Sequence, residues 1–398
     1  MKKIFVGILL GAALFLGACA SDSIEKVQDN LGFLEDAQGE IVLALNTEVT
    51  MTTVRESARE AMLDEAKEQI AYYHKLIDAH RDYVDADGKP VVNVKYLNDH
   101  AGEGPIEVDG ALLDCLDEAI TMAELTQGYF NPTIGAVSDV YEGRFEQSGE
   151  VQQGPSAEAL EAARKTIVPY AQLRDYIVLD QDAHTVDLRP YEGGQYRLSL
   201  SAIGKGYALA HLGFSRDSSY LINAGTSSMR GHLGEEEAHE REPISWNIAT
   251  HVPDGTDILF AFKLGEASVS VSGDDENYYL LEDGTRVHHI LNPFTGTSEN
   301  YWRNVVLVGE DAGVLDALST ALFNIEDEQL VKEIIRDVEQ SYGMTIDYCF
   351  VREEDAGTFQ LRGSQSFLER ILPDYNKGEL NPRMFIMDEE GNEAWQSM

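Results

Sequence analysis

Two hydrophobic periods divide the chain. From Val54 to about Asp82, apolar positions recur at three- and four-residue spacings (Ala61, Met62, Ala66, Ile70, Tyr73, Leu76, Ile77), which predicts one long helix with a buried face. A second stripe, Leu112, Leu113, Leu116, Ala119, Ile120 and Ala123, predicts a helix over about Ala111 to Thr126. Ser156, with Glu158 and Glu161 just after it, marks the start of a third. Between Tyr176 and Leu200 the pattern changes to short apolar runs such as Tyr176-Ile177-Val178-Leu179, which read as strands. A helix is predicted from Gly204 to about Leu212, followed by a strand at Tyr220-Leu221-Ile222. Alternating strands fill Trp246 to Val308, including Ile258 to Phe262 and Ser268 to Ser272, and Gly313 to Phe323 is helical again. Helices and strands mix without regular β-α-β alternation, so the predicted class is α+β. The last stretch, Met344 to Met398, reads as strand-like and then irregular.

The N-terminus follows a different pattern. Met1-Lys2-Lys3 is positive, and Ile4 to Leu16 is apolar but too short to span a bilayer, as in an export signal. It ends in Leu16-Gly17-Ala18-Cys19, where small residues ahead of a Cys match a lipobox and Cys19 would receive the lipid. The plainer alternative is an ordinary signal peptide with an incidental Cys. Residues 1–18 are therefore expected to be a lipoprotein signal peptide, and residues 19–40, polar and acidic, a flexible tether. One main domain is expected over 41–342, with 343–398 as a C-terminal extension. The expected location is the extracytoplasmic face of the cell membrane.

Composition narrows the partners. With 398 residues, 43% of them hydrophobic, the chain can bury a large core. Seventy acidic residues against 30 basic ones give a net charge of −40. Such a field repels nucleic acid and anionic lipid, which excludes nucleic-acid binding and leaves membrane contact to the lipid anchor. An anionic ligand must then be met by a metal ion, backbone N–H groups or isolated Lys and Arg side chains. Beyond Cys19 only Cys115 and Cys349 remain, too few for a disulfide framework. One bridge and two buried thiols are both open.

Five segments are over-specified for packing alone. Thr126-Gln127-Gly128-Tyr129-Phe130-Asn131-Pro132-Thr133-Ile134-Gly135 is a fixed turn after a helix, with a purely structural role an equal reading. Leu200-Ser201-Ala202-Ile203-Gly204-Lys205-Gly206-Tyr207 brings small residues and one Lys into a helix start, suited to a phosphate or to tight packing. Ile222-Asn223-Ala224-Gly225-Thr226-Ser227-Ser228 runs from a strand into a Gly/Ser-rich loop. Ser268-Val269-Ser270-Val271-Ser272-Gly273-Asp274 precedes His288-His289-Ile290-Leu291-Asn292-Pro293-Phe294-Thr295-Gly296. Asp316-Ala317-Leu318-Ser319-Thr320-Ala321-Leu322 places Asp316 and Thr320 on one helix face, where two oxygens could reach one hard cation such as Mg²⁺. An exposed or capping pair is the commoner reason for that spacing.

In this order the five segments resemble the motifs of the ApbE family of FAD:protein FMN transferases, over roughly Val42 to Ile325. The resemblance implies a T-fold-related α+β domain of mixed helices and antiparallel sheet. It implies an enzyme that splits FAD and joins FMN to a Thr or Ser hydroxyl of another protein, releasing AMP. Mg²⁺ would be held by Asp316, Thr320, Ser319 and the Ala202 carbonyl, with Lys205 beside it on FAD. Met51 matches a family Met that packs on the flavin; Tyr129, Phe130 and Asn131 would line the adenine or flavin cleft; Ile290 would offer backbone contacts. His289 matches the family's active-site His and would assist deprotonation of the acceptor hydroxyl, whereas His288 reads as structural. Ser199 stands where the family has Asp, which removes a carboxylate that can grip an adenine or ribose donor. Ser201, Ala202, Asn131, Asn292 and Thr226-Ser227 also depart from the family pattern. The implied acceptor is an exported FMN-binding domain with a short Ser/Thr-Gly-Ala-Thr-like motif. Two alternatives stay open: hydrolysis of FAD to FMN and AMP, and FAD binding without turnover.

Overall fold

The computed structural model describes residues 27–31, 33–35, 41–54, 56–145, 148–235, 245–355, 357–372, 382–387 and 393–396. The expected signal peptide and Cys19 lie outside the described residues. Ten strands form the main sheet: β1 (Val27–Asn30), β2 (Val49–Thr53), β3 (Tyr220–Ala224), β4 (Ser228–His232), β5 (Ala267–Gly273), β6 (Asn304–Gly309), β7 (Asp347–Asp355), β8 (Thr358–Gly363), β9 (Arg383–Met387) and β10 (Glu393–Gln396). They lie side by side in the order in which they occur along the chain. Neighbours are antiparallel except β8 and β9, which are parallel.

The helices are insertions into this meander. Between β2 and β3 come α1 (Glu56–Ile77), α2 (Gly110–Leu125) and α3 (Gly204–Ala210). The same interval holds a small sheet of Ile106–Glu107, Thr185–Leu188 and Ile177–Asp180. A hairpin, Trp246–His251 with Ile258–Leu264, separates β4 from β5, and α4 (Ala312–Phe323) and α5 (Glu328–Tyr342) separate β6 from β7. This is the expected α+β class, and no described helix is long and apolar enough to cross a membrane.

Strand β6 shows where the core sits. All six of its residues are buried. Val305 and Leu307 join a cluster with Leu315, Leu318 and Leu322 of α4 and Ile334 of α5. Val306 and Val308, pointing the other way, join Phe260 and Phe262 of the hairpin and Phe367 of a short helix. A period of two on a strand covered on both faces makes β6 apolar on both sides from Val305 to Val308.

Three expectations shift. Helix α1 ends at Ile77, not near Asp82, because the Asp78 carboxylate accepts from the N–H groups of His80 (2.7 Å) and Arg81 (3.2 Å) and turns the chain. Part of the expected tether is paired chain, since β1 matches Val27 to Thr53 and Asn30 to Thr50. The residues after 342 complete the sheet, with β7 registered on β6 from Asn304↔Val351 to Val308↔Asp347. Helix α5 was not anticipated, although Asp327 caps its start and Gly343, at φ 65°, ends it. Cys115 and Cys349 are buried, unpaired thiols.

Glu118 of α2 carries a tension that pH exposes. Its Oε1 is buried without a hydrogen-bond partner, close enough to α4 that a Cβ on Gly313 would meet it at 2.6 Å. Burial first, and Asp311 second, push its pKa from 4.5 up to about 8. A raised carboxyl supports the fold below its ordinary value and loses that support as pH rises toward the folded value. Glu118→Gln should therefore raise the thermal midpoint over wild type by a margin that grows from about pH 5 and levels off above about pH 8. Calorimetric scans at stepped pH check this, and a pH-independent offset would contradict it.

Candidate active site

A cleft of about 700 Å³ brings together Lys205 of α3, Asp316 and Thr320 of α4, the β3–β4 turn, Ser270 and Ser272 of β5, and His289. The central contact is between α3 and α4. Gly206 N–H donates to Asp316 Oδ2 at 2.7 Å, and the Ser228 hydroxyl lies 2.8 Å from both carboxylate oxygens. Asp316 is only 5% exposed. Burial pushes its pKa up to about 6, opposed by the nearby Lys205 ammonium and by hydrogen bonds from Ser270, Ser228 and Gly206. The two helices can approach this closely only because position 206 has no side chain. A Cβ there would meet the Ala312 carbonyl oxygen at 2.0 Å and Asp316 Cγ at 2.8 Å.

Neighbouring polar groups fix the other side chains. Lys205 Nζ donates to Ser227 Oγ, so the turn between β3 and β4 holds both Lys205 and, through Ser228, Asp316. Ser319 Oγ donates to the Asp316 carbonyl oxygen at 3.1 Å and lies 3.0 Å from Ser270 Oγ and 2.8 Å from Ser272 Oγ, which ties α4 to β5. His289 is anchored through its backbone N–H, which donates to the Asn277 carbonyl at 3.1 Å, and its ring keeps an accessible face toward the cleft. Protein around the ring still desolvates its charged form, and Lys205 opposes protonation too. His289 is thereby pushed down to about 4, neutral at physiological pH.

The expected site residues divide into two groups. Ser199, Ala202, Lys205, His289, Ile290, Asp316, Ser319 and Thr320 all border the cleft. Ser199 Oγ sits 3.1 Å from Ser201 Oγ, two hydroxyls where a carboxylate was the family's choice. Met51, Tyr129, Phe130 and Asn131 do not border it. Met51 pairs with Ile222, and both side chains pack beneath α1 with Met62 and Ala66, whereas Leu221 and Asn223 on the opposite face meet the cleft. Phe130 is buried in the main core, and Tyr129 packs edge-on against Phe294. The Asn131 side chain accepts from Thr133 N–H and hydroxyl and donates to the Val168 carbonyl, so it builds the turn itself. His288 is structural as expected: Nε2 donates to the Glu299 carbonyl (2.8 Å), and Nδ1 accepts from Ile290 N–H (3.3 Å).

Sequence reasoning quoted Ser227, Ser228, Ser270 and Ser272 without assigning them roles. Their signal was hydroxyls recurring on strands that otherwise read as core. Asn223 Oδ1 and Asn304 Oδ1, both buried at the cleft without a hydrogen-bond partner, were also missed. Among the described residues no group of three or more His, Cys, Asp or Glu side chains could hold a metal. A cation at the expected position would meet the Asp316 carboxylate with neutral oxygens from Thr320 and the Ala202 carbonyl. That is a hard-oxygen set suited to Mg²⁺ with water filling the remainder. Ser319, already engaged with β5, fits that set least.

The α+β fold around this cleft is also what known proteins share with the chain. The model of the ApbE family matches residues 45–342. The FAD:protein FMN transferase of Treponema pallidum is 26% identical over 330 residues, covering 80% of this chain and 84% of that protein. The one from Vibrio cholerae is 24% identical over 274 residues, 67% of this chain and 72% of that one. The crystal structure of the ApbE protein from Thermotoga maritima superposes with a TM-score of 0.66 at 24% identity, covering 87% of this chain and 99% of that one. The flavin transferase ApbE from Vibrio cholerae superposes at 0.60 and 18% identity, covering 87% of this chain and all of that one. The chain belongs to the ApbE family.

Gly206→Ala tests the contact at the centre of the site. Forcing α3 from α4 should cost about 1–3 kcal/mol of stability, read from urea midpoints. An unchanged midpoint would mean that the helices do not pack as described.

Proposed function

We propose that this protein transfers FMN from FAD to a Thr or Ser hydroxyl of an exported flavoprotein, with AMP as the leaving group. The observation that carries this reading is Asp316, buried between Gly206 N–H and Ser228 and facing the same cleft as Lys205 and His289. Lys205 supplies positive charge for the FAD diphosphate on an otherwise acidic protein. His289, anchored by its backbone N–H on the Asn277 carbonyl and kept neutral, takes the proton of the acceptor hydroxyl. The acceptor oxygen then bonds to the phosphorus of the FMN half as the bond to AMP breaks. Asp316, Thr320 and the Ala202 carbonyl would hold Mg²⁺, which neutralises charge on the diphosphate. The names of the matched relatives support FAD as substrate. The Lys-Lys start, the apolar run to Leu16 and Cys19 support export and lipid anchoring at the outer face of the membrane.

Incubation with FAD, Mg²⁺ and an acceptor domain bearing the Ser/Thr motif should give an FMN-sized mass gain on the acceptor and stoichiometric AMP. Asp316→Ala should abolish both, and His289→Gln should slow transfer by roughly 10²-fold or more while leaving FAD bound. AMP without a mass gain would make the protein an FAD hydrolase, and tight FAD binding with neither product would make it a carrier. Cys19→Ala should shift the protein from the membrane to the soluble fraction, and an unchanged membrane fraction would refute the anchor.

A further inference from the structure

Another part of the cleft wall carries a polar relay that the chemistry above does not use. His74, near the end of α1, and Asp78, one turn later, are 1% and 4% exposed, and both border the cleft. Leu45 N–H donates to His74 Nδ1 at 3.0 Å, so Nδ1 carries no proton. Nε2 then holds the ring's proton and donates to Tyr83 Oη at 2.8 Å. The Tyr83 hydroxyl donates in turn to Asp78 Oδ2 at 2.8 Å. One neutral tautomer of His74 satisfies every partner in the chain.

What His74 holds is a strained turn. Leu45 and Asn46 have φ of 54° and 57°, a left-handed conformation that Leu adopts only when its surroundings impose it. Leu45, Asn46 and Thr47 form part of the cleft wall. The turn also reaches the catalytic side. Gly225 N–H donates to the Glu48 carbonyl at 2.8 Å, and a Cβ on Gly225 would meet Thr47 Oγ1 at 2.5 Å. Gly225 opens the β3–β4 turn, whose Ser227 and Ser228 hold Lys205 and Asp316.

We infer that neutral His74 is a positioning residue: it pins the Leu45–Thr47 turn as the wall that fits the cleft to FAD, and its protonation releases that wall. The inference rests on FAD being the cleft's ligand. A proton on Nδ1 would set two donors against each other at Leu45 and break the pin. The charged groups around the ring are Asp78, which favours the proton, and Arg81 and Lys75, which oppose it; Tyr83 completes the set. Burial outweighs Asp78 and lowers the pKa of His74 from its ordinary 6.5. A released turn restores that ordinary value, so the closed turn is favoured above about pH 6.5 and weakens as pH falls below it.

Two measurements on the mature full-length chain test this. In hydrogen exchange without FAD, corrected for intrinsic rates, residues 44–48 of wild type should lose roughly tenfold protection per pH unit below about 6.5. His74→Asn, whose Oδ1 can accept from Leu45 N–H but cannot take a proton, should keep its protection over the same range. Identical pH dependence in the two proteins overturns the pin. At pH 7.5, FAD titrations with Mg²⁺ present should give His74→Asn near wild type, and His74→Phe weaker by about tenfold, the size of one lost buried acceptor. Equal affinity in all three overturns the wall. If wild type binds no FAD, the FAD reading itself fails and the inference falls with it, whereas the exchange result still reports on the pin alone.

Discussion

The structure turns on the burial of one carboxylate. Asp316 lies where α3, α4 and β4 converge, and its charge is tolerated there only because N–H and hydroxyl donors surround it. That requirement reaches outward. It demands glycine at 206, so that α3 can bring its backbone N–H to the carboxylate, and a serine at 228, where β4 begins. It also places Lys205, one residue before Gly206, within electrostatic reach of Asp316. The helix pair and the chemistry are therefore not separable: the contact that packs α3 on α4 also aims the site.

The sheet explains why distant segments can meet there. Its strands follow chain order, so each insertion between strands lands beside the pair it interrupts. The long interval between β2 and β3 supplies α3 with Lys205, the interval between β5 and β6 supplies His289, and the one between β6 and β7 supplies α4. Three side chains far apart in sequence converge because a meander stacks its insertions along one sheet. Among the described residues β7 to β10 add none to the cleft, yet β7 covers the edge of β6.

Much of this was legible. Helices α2 and α4 fall within one or two residues of where their apolar stripes end, and Lys205, His289 and Asp316 meet as their motifs implied. The expected residues that do not line the cleft share a cause. Met51, Phe130 and Asn131 sit in segments whose small and turn-forming residues look functional, but their side chains do backbone and core work: Asn131 closes its own turn, and Met51 faces α1 because strand alternation turns it there. Which face a strand residue takes depends on register with a partner some 170 positions away, as with Met51 and Ile222, and a local pattern does not carry register. The His74 relay was invisible for a related reason. Its histidine lies on a stripe that reads as one side of an amphipathic helix, and only the fold brings Leu45 to it.

The cleft treats opposite charges alike. Burial raises Asp316, and surrounding protein together with the Lys205 charge lowers the partly accessible His289, so the site disfavours ionisation of either sign. A diphosphate entering such a space would lose its hydration, and with a protein of net charge −40 around it no general positive field compensates. Local cations must do so. Lys205 is one, and a single ammonium cannot balance a diphosphate together with Asp316. A divalent ion beside Asp316 would close that balance, so the electrostatics of the cleft support the proposed Mg²⁺. The same suppression of charge serves the proposed base: a His289 that stays neutral beside Lys205 has a lone pair ready when the acceptor hydroxyl arrives.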